Sequence, residues 1–246
     1  MAPVNPKRRY DSPRRAEQAR QTRAAVVEAA RRLFLRDGFA ATTIAAIAAQ
    51  AQVSVETIYK AFGGKPGLVR AICATALTGE GPVPAETRSD QLQAHEPDPR
   101  KIIRGWGKLT TEVAPRIAPI LLLIRSAAAT DPEMAALRAE MDTSRLTRMT
   151  SNARNLAEGG HLRDDITAGH AGEVLWTYSS PELYELLVLG RGWPAERYTT
   201  FIADAMIAAL LPPEPPLPPA DTPQRPPLDP RGPDANAGFG PARTRS

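Results

Sequence analysis

The amino-acid sequence predicts an all-α protein, in which a small N-terminal three-helix unit precedes a larger helical domain. Apolar residues recur at spacings of three and four along most of the chain, as in helices that bury one face. No alternating apolar and polar pattern long enough for a β-strand occurs in the sequence. Glycine and proline residues divide the periodic segments into about nine or ten helices.

The first helix is predicted from about residue 14 to residue 37. Its apolar residues share one side, which we expect to pack on the segment that follows. Gly38 ends this helix, and Phe39 follows as an apolar plug. The apolar side comprises Ala19, Val26, Val27, Ala30, Leu33 and Phe34.

Residues 41–65 predict two short helices joined by a tight turn. Thr43 is the expected N-cap of the first, because its hydroxyl can accept a backbone N–H group left unpaired in the first turn. Ser54 is the expected N-cap of the second helix, over residues 55–62, and Val53 fills the angle between the two. Two short helices in this arrangement form a helix-turn-helix, which indicates DNA binding.

The second short helix is expected to have a buried side and an exposed side. Ile58 and Phe62 lie four residues apart and face inward, and Gly63 and Gly64 end the helix. The other side mixes hydroxyl, carboxylate, aromatic and ammonium groups, which suits base edges and phosphates. The candidate DNA-binding residues are Thr42, Thr43, Ser54, Val55, Glu56, Thr57, Tyr59, Lys60 and Lys65.

These candidates are expected to divide between the two parts of DNA. Thr43, Tyr59 and Lys65 are predicted to hold phosphates, with Lys65 at the start of the next helix, where the helix N-terminus also attracts an anion. Lys60 has the chemistry to pair with guanine. The residues predicted to face bases are Val55, Glu56, Thr57 and Lys60.

Positive charge is concentrated at the N-terminal end. Residues 1–70 contain thirteen lysines and arginines against five acids, a net charge of +8, whereas the whole chain carries +4. This asymmetry fits a basic DNA-facing end joined to a neutral or acidic body. Arginines that merely coat a solvated helix are the alternative. The neighbouring helix-turn-helix favours the DNA interpretation.

Together, these residues resemble the N-terminal domain of the TetR family of bacterial transcriptional regulators. The resemblance consists of an alanine-pair helix ending in leucine and phenylalanine, a glycine–aromatic pair, a threonine pair, a valine–serine turn and a threonine–apolar–tyrosine recognition helix. It is carried by Ala29, Ala30, Leu33, Phe34, Gly38, Phe39, Thr42, Thr43, Ile47, Ala48, Val53, Ser54, Thr57, Ile58, Tyr59, Phe62 and Lys65.

Two positions depart from the family pattern. Gln52 stands where the family usually has glycine in the turn, so its side chain must accept a positive φ at some cost. Pro66 replaces a common glutamate after Lys65, and proline is tolerated in the first turn of a helix. Neither departure breaks the pattern.

Downstream of the DNA-binding segment the helical pattern continues. A fourth helix runs towards Leu77, and the polar residues 79–99 are predicted to form a long loop. Helical patterns resume over residues 101–113, and Pro115 is expected to separate them from a buried helix over residues 116–129.

A long helix is then predicted, with Asp131 as its N-cap and Pro132 at its first position. Its expected inner side up to Gly159 comprises Met134, Leu137, Met141, Leu146, Met149, Ala153 and Leu156. Three further helical segments are predicted over residues 167–178, 181–189 and 194–211.

The resemblance implies a homodimeric transcriptional regulator, specifically a repressor that a small-molecule effector releases from a palindromic DNA operator. The effector pocket is expected between the central helices, because aromatic and methionine side chains shape adaptable apolar cavities. Each such residue taken singly is more often plain core. The candidates are Trp106, Leu109, Leu122, Met141, Met149, Trp176 and Tyr178.

The resemblance also implies dimerisation through the C-terminal helices, which pair with their copies as a four-helix bundle. Small alanines allow helices to approach closely, and the alternative is that the same stripe packs only within one monomer. The stripe comprises Tyr198, Phe201, Ile202, Ala205 and Ala208.

These predictions divide the chain into four parts. Residues 1–13 form a flexible basic arm, residues 14–64 the helix-turn-helix domain, and residues 65–211 the effector-binding and dimerisation domain. Residues 212–246 contain twelve of the 25 prolines and are expected to be a disordered or polyproline-like tail. A phosphate-tracking role for the arm and a plain disordered arm are both open.

The sequence shows no convergent set of catalytic residues. His170 and Glu173 lie one helical turn apart, but no third ligand stands at a fixed spacing, so no metal or cofactor is predicted. Cys73 is the single cysteine, which fits a reducing cytoplasmic setting. An activator or effector-independent DNA-binding protein is the alternative function. A helical enzyme with a basic DNA-binding end is the weaker alternative.

Overall fold

The computed structural model describes residues 12–79 and 81–213, which form ten α-helices, one short π-helical segment and no β-strand. The predicted basic arm up to residue 11 and the proline-rich tail after residue 213 lie outside the described residues. The helices are α1 (Ser12–Ala41), α2 (Ile44–Ala51), α3 (Val55–Phe62), α4 (Lys65–Thr78), α5 (Ala85–His95), α6 (Pro99–Ala127), α7 (Pro132–Glu158), α8 (Ala168–Tyr178), α9 (Pro181–Tyr184) and α10 (Ala195–Leu210), with the π-helical segment at Glu185–Leu189. The all-α prediction is confirmed.

The end of α1 depends on a glycine. Gly38 has φ 82° and ψ 165°, a conformation outside the helical region that few residues with a side chain adopt. The regular part of α1 therefore stops there, as predicted. Phe39 folds back so that its ring stacks on Phe34, with 5.6 Å between the ring centroids.

The helices enclose two apolar cores, and residues 12–212 form one compact unit. The first core unites α1–α4 with the second half of α6 and the start of α7, through buried residues such as Phe34, Ile47, Ile58, Ile120 and Met134. The second core unites the first half of α6 with the end of α7, α8 and α10, through Ile103, Trp106, Leu156, Leu175 and Tyr198. Helix α6 therefore belongs to both cores.

Residues 79–99 do not form the long loop that their polar composition predicted, because α5 occupies Ala85–His95. The Arg88 guanidinium donates to both Glu112 carboxylate oxygens on α6, at 2.8 and 2.5 Å. The Gln93 amide donates to the Asn152 side chain on α7 at 3.2 Å. Polar contacts hold this helix, and apolar periodicity does not detect them.

Pro115 does not separate two helices. Helix α6 runs continuously from Pro99 to Ala127 with Pro115 and Pro119 inside it. A proline in a helix interior costs about 3 kcal/mol relative to alanine. Burial of neighbouring residues on both sides, including Ala114, Ile117 and Ile120, offsets that cost.

Helix α7 begins as predicted, since the Asp131 carboxylate accepts from the backbone N–H groups of Glu133 and Met134 at 3.0 and 3.1 Å. Its predicted inner side is wrong at one position, because 40% of Leu146 is exposed.

The C-terminal stripe divides between two sides of α10. Tyr198 and Ile202 are completely buried in the second core, so they pack within the monomer and the dimer prediction is wrong for these two. Phe201 and Ala208 are exposed on the other side of the helix. Two leucines of the π-helical segment, Leu186 and Leu189, are also more than half exposed.

Candidate DNA-binding interface

The helix-turn-helix is built by two hydroxyl caps. The Thr43 hydroxyl accepts from the backbone N–H of Ala46 at 3.1 Å and begins α2. The Ser54 hydroxyl accepts from the N–H of Thr57 at 3.1 Å and begins α3. Each bond satisfies an N–H group that has no partner within its helix.

The turn between the two caps takes the conformation predicted for Gln52. Its φ of 55° and ψ of 43° lie in the left-handed region, and it is the one described residue other than glycine with a positive φ. The N–H of Val53 then donates to the Ala48 carbonyl at 3.0 Å and closes the turn. The chain keeps the turn geometry at some conformational cost.

Helix α3 has one buried side and one exposed side. Ile58 is completely buried in the first core. Val55 and Tyr59 are 41% and 54% exposed, and they lie four residues apart on the same side of the helix. The exposed side comprises Ser54, Val55, Glu56, Thr57, Tyr59 and Lys60.

Thr42 does not belong to this exposed surface. Only 3% of the residue is accessible, and its hydroxyl lies 2.8 Å from the Gly38 carbonyl and 3.2 Å from the Leu33 carbonyl. A buried hydroxyl occupied in this way fastens the end of α1 and is not available to a phosphate. The DNA contact predicted for Thr42 is therefore corrected.

The Lys65 ammonium is also occupied by the protein. It donates to the carbonyls of Phe39 and Thr42 at 2.5 and 3.1 Å, and it lies 4.3 Å from the centre of the Phe39 ring. Burial lowers the pKa of Lys65. The side chain joins the start of α4 to the end of α1, so backbone carbonyls take the place of the predicted phosphate.

Arg23 lies on α1, was not among the predicted site residues, and reaches α3. Its guanidinium donates to the Ala61 carbonyl at 3.2 Å and lies 4.3 Å from the centre of the Phe62 ring. Both partners belong to the last turn of α3. The one feature of the sequence that could have indicated this role is that Arg23 lies on α1 among other arginines, such as Arg20 and Arg31.

The seven predicted effector-pocket residues do not converge on one described cavity. Met141 packs against the first core, whereas Trp106 belongs to the second core and Met149 and Tyr178 pack against it. Leu109 and Leu122 on α6 are partly buried. The Arg145 guanidinium covers the face of Trp176, 4.4 Å from the ring centre.

Several polar atoms around the second core are buried without a hydrogen-bond partner. They are the hydroxyls of Ser89 and Tyr198 and the indole N–H groups of Trp106 and Trp176. Burying such a group without a partner is costly, so each of these atoms would gain from a hydrogen-bond partner from outside the chain.

Within residues 12–79 and 81–213, no three His, Cys, Asp or Glu side chains are grouped closely enough to bind a metal ion together. The described helices also include none whose length and apolar character would let it cross a lipid bilayer.

Comparisons with known proteins agree with the geometry of the N-terminal helices. Residues 26–72 match the family described as "Bacterial regulatory proteins, tetR family". Over 71 residues the chain is 35% identical to the uncharacterized HTH-type transcriptional regulator YvkB of Bacillus subtilis (strain 168), covering 29% of this chain and 38% of that protein. Over 59 residues it is 46% identical to the HTH-type transcriptional regulator TtgR of Pseudomonas putida, covering 24% of this chain and 28% of TtgR.

The chain thus spans well under half the length of the curated relatives it matches. A solved structure extends the likeness to the whole helical unit. Native NalD, the secondary repressor of the MexAB-OprM multidrug efflux pump in Pseudomonas aeruginosa, superimposes with a TM-score of 0.61, at 19% identity, over 78% of this chain and 98% of NalD. At this identity the likeness shows the fold of the C-terminal helices and not their ligand.

Proposed function

We infer from residues 26–72, which belong to the TetR family of bacterial regulatory proteins, that this protein is a sequence-specific DNA-binding transcriptional regulator. We propose that it is a repressor, released from its operator by a small-molecule effector. NalD, which shares the fold, is a repressor, and this supports repression over activation for the protein.

The exposed side of α3 is the observation that carries this proposal. Large apolar and charged side chains stand together there while Ile58 is fixed beneath them in the core. A recognition helix in the major groove needs this combination of a rigid base and exposed side chains. Val55, Glu56, Thr57 and Lys60 are assigned to bases, and Thr43 and Tyr59 to phosphates.

A homodimer is proposed because one recognition helix offers few base contacts, and two half-sites of a palindrome supply the rest. The exposed leucines of the π-helical segment and Phe201 on α10 support a subunit contact on this side of the molecule. The Trp193 ring meets Phe201 edge to face, with 5.5 Å between centroids, and extends the same apolar surface. A second copy of the chain would cover it.

The unmatched donors of the second core support an effector site beside Trp106 and Tyr198. They are proposed to receive hydrogen-bond acceptors of an otherwise apolar molecule. Binding there would displace parts of α6 and α10, and the coupling would move two recognition helices out of register with the DNA.

The proposal is tested by measuring binding of the purified protein to the DNA that flanks its coding region, at two salt concentrations and against random DNA of equal length. A specific regulator is expected to prefer the flanking DNA by roughly a thousandfold or more, and to keep that preference at the higher salt. Equal and weak binding to both DNAs would contradict the proposal.

A pair of lysine variants assigns the recognition helix. Lys60→Ala is expected to lose about 1 to 3 kcal/mol of binding free energy on the specific DNA and to relax the preference at one base pair. Lys101→Ala, an exposed lysine on α6, is the matched control and should bind as the parent does. An equal loss for Lys60→Ala on specific and random DNA would make Lys60 a phosphate contact.

A further inference from the structure

A groove of about 640 Å³ lies where the DNA-binding helices meet the body, away from the exposed side of α3. Its walls come from α1, α4 and the middle of α6. Small-molecule sites commonly measure about 300 to 1,000 Å³, so this groove has the size of a ligand site. It shares none of the seven residues predicted for the effector pocket.

The floor of the groove is apolar. Ala24 and Val27 of α1 face Ala71 and Ile72 of α4 across it. The alanine side chains are too short to fill the space between α1 and α4, and the unfilled space forms the groove. The surface suits a flat or chain-like apolar group.

The rim of the groove is strongly basic. Arg20, Arg23 and Arg31 stand on one side of α1, and Arg116 reaches in from α6. Two carboxylates stand beside these arginines: Glu28, in the lining, accepts from Arg31 at 2.9 Å, and Glu17 pairs with Arg20. An anion entering the groove would meet four guanidinium groups, against these two carboxylates, around an apolar floor.

Two of these arginines fasten helix ends. Arg23 donates to the Ala61 carbonyl in the last turn of α3, as described above. Arg116 donates to the carbonyl of Gly79, directly after α4. A guanidinium binds a carboxylate or phosphate more strongly than it binds a carbonyl, because the acceptor is charged. An anion in the groove would therefore compete for the group that holds the recognition helix.

We propose that this groove is a binding site for an organic monoanion with an apolar body, whose head group pairs with the arginine rim and whose body lies on the alanine floor. Occupancy draws Arg23 away from Ala61 and Phe62 and loosens the last turn of α3. The effect on DNA rests on the function proposed above, whereas binding of the anion does not.

The first test uses no DNA. Isothermal titration of the full chain with decanoate is compared with titrations with decanol, which has no charge, and acetate, which has no apolar body. Decanoate is expected to bind at least about tenfold more tightly than either, since both parts of the site contribute. Equal affinity for decanol and decanoate would overturn the proposal.

Three variants locate the site. Thr75→Phe places a ring in the groove and should abolish decanoate binding, and Arg20→Gln should weaken it about threefold to tenfold by removing one rim charge. Arg36→Gln removes an exposed arginine of α1 outside the lining and is the matched control. Decanoate binding that survives in Thr75→Phe would place the anion elsewhere and overturn the assignment.

The second test adds the flanking DNA. Decanoate should weaken specific DNA binding by the parent and leave Thr75→Phe unaffected, while Thr75→Phe without decanoate binds DNA as the parent does. DNA binding already weakened in Thr75→Phe would make the groove a phosphate contact and overturn the proposal. Loss of all specific DNA binding by the parent would contradict the proposed function alone, because the titration without DNA judges the groove separately.

Discussion

The two cores differ in how completely their polar groups are matched. In the first core, the buried Thr42 hydroxyl and the Lys65 ammonium both have backbone carbonyls as partners. Around the second core, the Trp106 indole and the Tyr198 hydroxyl are buried without one. Among the described residues, α1–α4 contribute no unmatched buried side-chain atom.

This difference fits the division of labour proposed for the chain. A surface that reads DNA has to hold its side chains at fixed positions, which a fully matched core favours. A site for an effector gains selectivity when its donors are satisfied only by the ligand. The comparison therefore predicts that equivalent substitutions in the two regions will have different, and sometimes opposite, effects.

Truncation of a ring should produce the largest contrast. Phe34→Ala in the first core is expected to lower the free energy of unfolding by about 3 to 5 kcal/mol, because the ring is completely buried and its removal leaves a cavity. Phe201→Ala, in the partly exposed ring of α10, should cost less than about 1 kcal/mol and act mainly on subunit association. Urea unfolding of both variants measures the free energy, and sedimentation measures subunit association. Similar losses of unfolding free energy in the two variants would contradict the predicted difference between the cores.

Removal of one buried hydroxyl should give effects of opposite sign in the two cores. Thr42→Val is expected to lower stability by about 1 kcal/mol, because it removes a hydroxyl bound to backbone carbonyls. Tyr198→Phe is expected to raise stability by up to about 1 kcal/mol, because the deleted hydroxyl has no partner. Thermal unfolding of the two variants beside the parent measures both changes.

A loss of stability in Tyr198→Phe equal to that in Thr42→Val would show that the Tyr198 hydroxyl is matched after all. The contrast between the two cores would then be absent at the most buried of the unmatched groups.

A further effect is the response of each core to alkaline pH. Burial raises the pKa of Cys73 in the first core from 9.0 to about 12, and that of Tyr198 in the second from 10.0 to about 12. Each unfolded group loses its proton first, so stability is full below pH 9 and falls as the pH rises towards 12. The loss through Cys73 should be on the order of 1 kcal/mol at pH 10.

Melting temperatures between pH 8 and 11 check this prediction in the parent, Cys73→Ala and Tyr198→Phe. Cys73→Ala should remove the part of the loss that begins near pH 9, and Tyr198→Phe the part that begins near pH 10. Identical pH profiles in all three proteins would contradict it.

Local chemistry made much of the helix-turn-helix predictable from the sequence. Thr43 and Ser54 cap helices within three residues of themselves, and the positive φ of Gln52 follows from its place in the turn. The all-α class followed from periodicity. These features depend on neighbours in the chain and need no knowledge of the tertiary structure.

The features that escaped prediction depend on distant partners. Helix α5 is held by Arg88 and Gln93 through contacts to α6 and α7, and its own sequence shows no apolar stripe. Lys65 reaches carbonyls more than twenty residues away, which turned a predicted phosphate ligand into a structural link. Long polar side chains can reach many partners, so spacing alone does not assign their roles.

Helix α6 has a mechanical consequence for both cores. At about 1.5 Å per residue, its 29 residues span roughly 43 Å. One end of the helix packs in each core, so a bend in α6 changes the position of one core relative to the other. Pro115 and Pro119 have no N–H to donate, so two backbone hydrogen bonds are missing near the middle of α6. The helix bends most easily there. Pro115 also lines the groove, so a molecule bound there contacts α6 where the helix bends most easily.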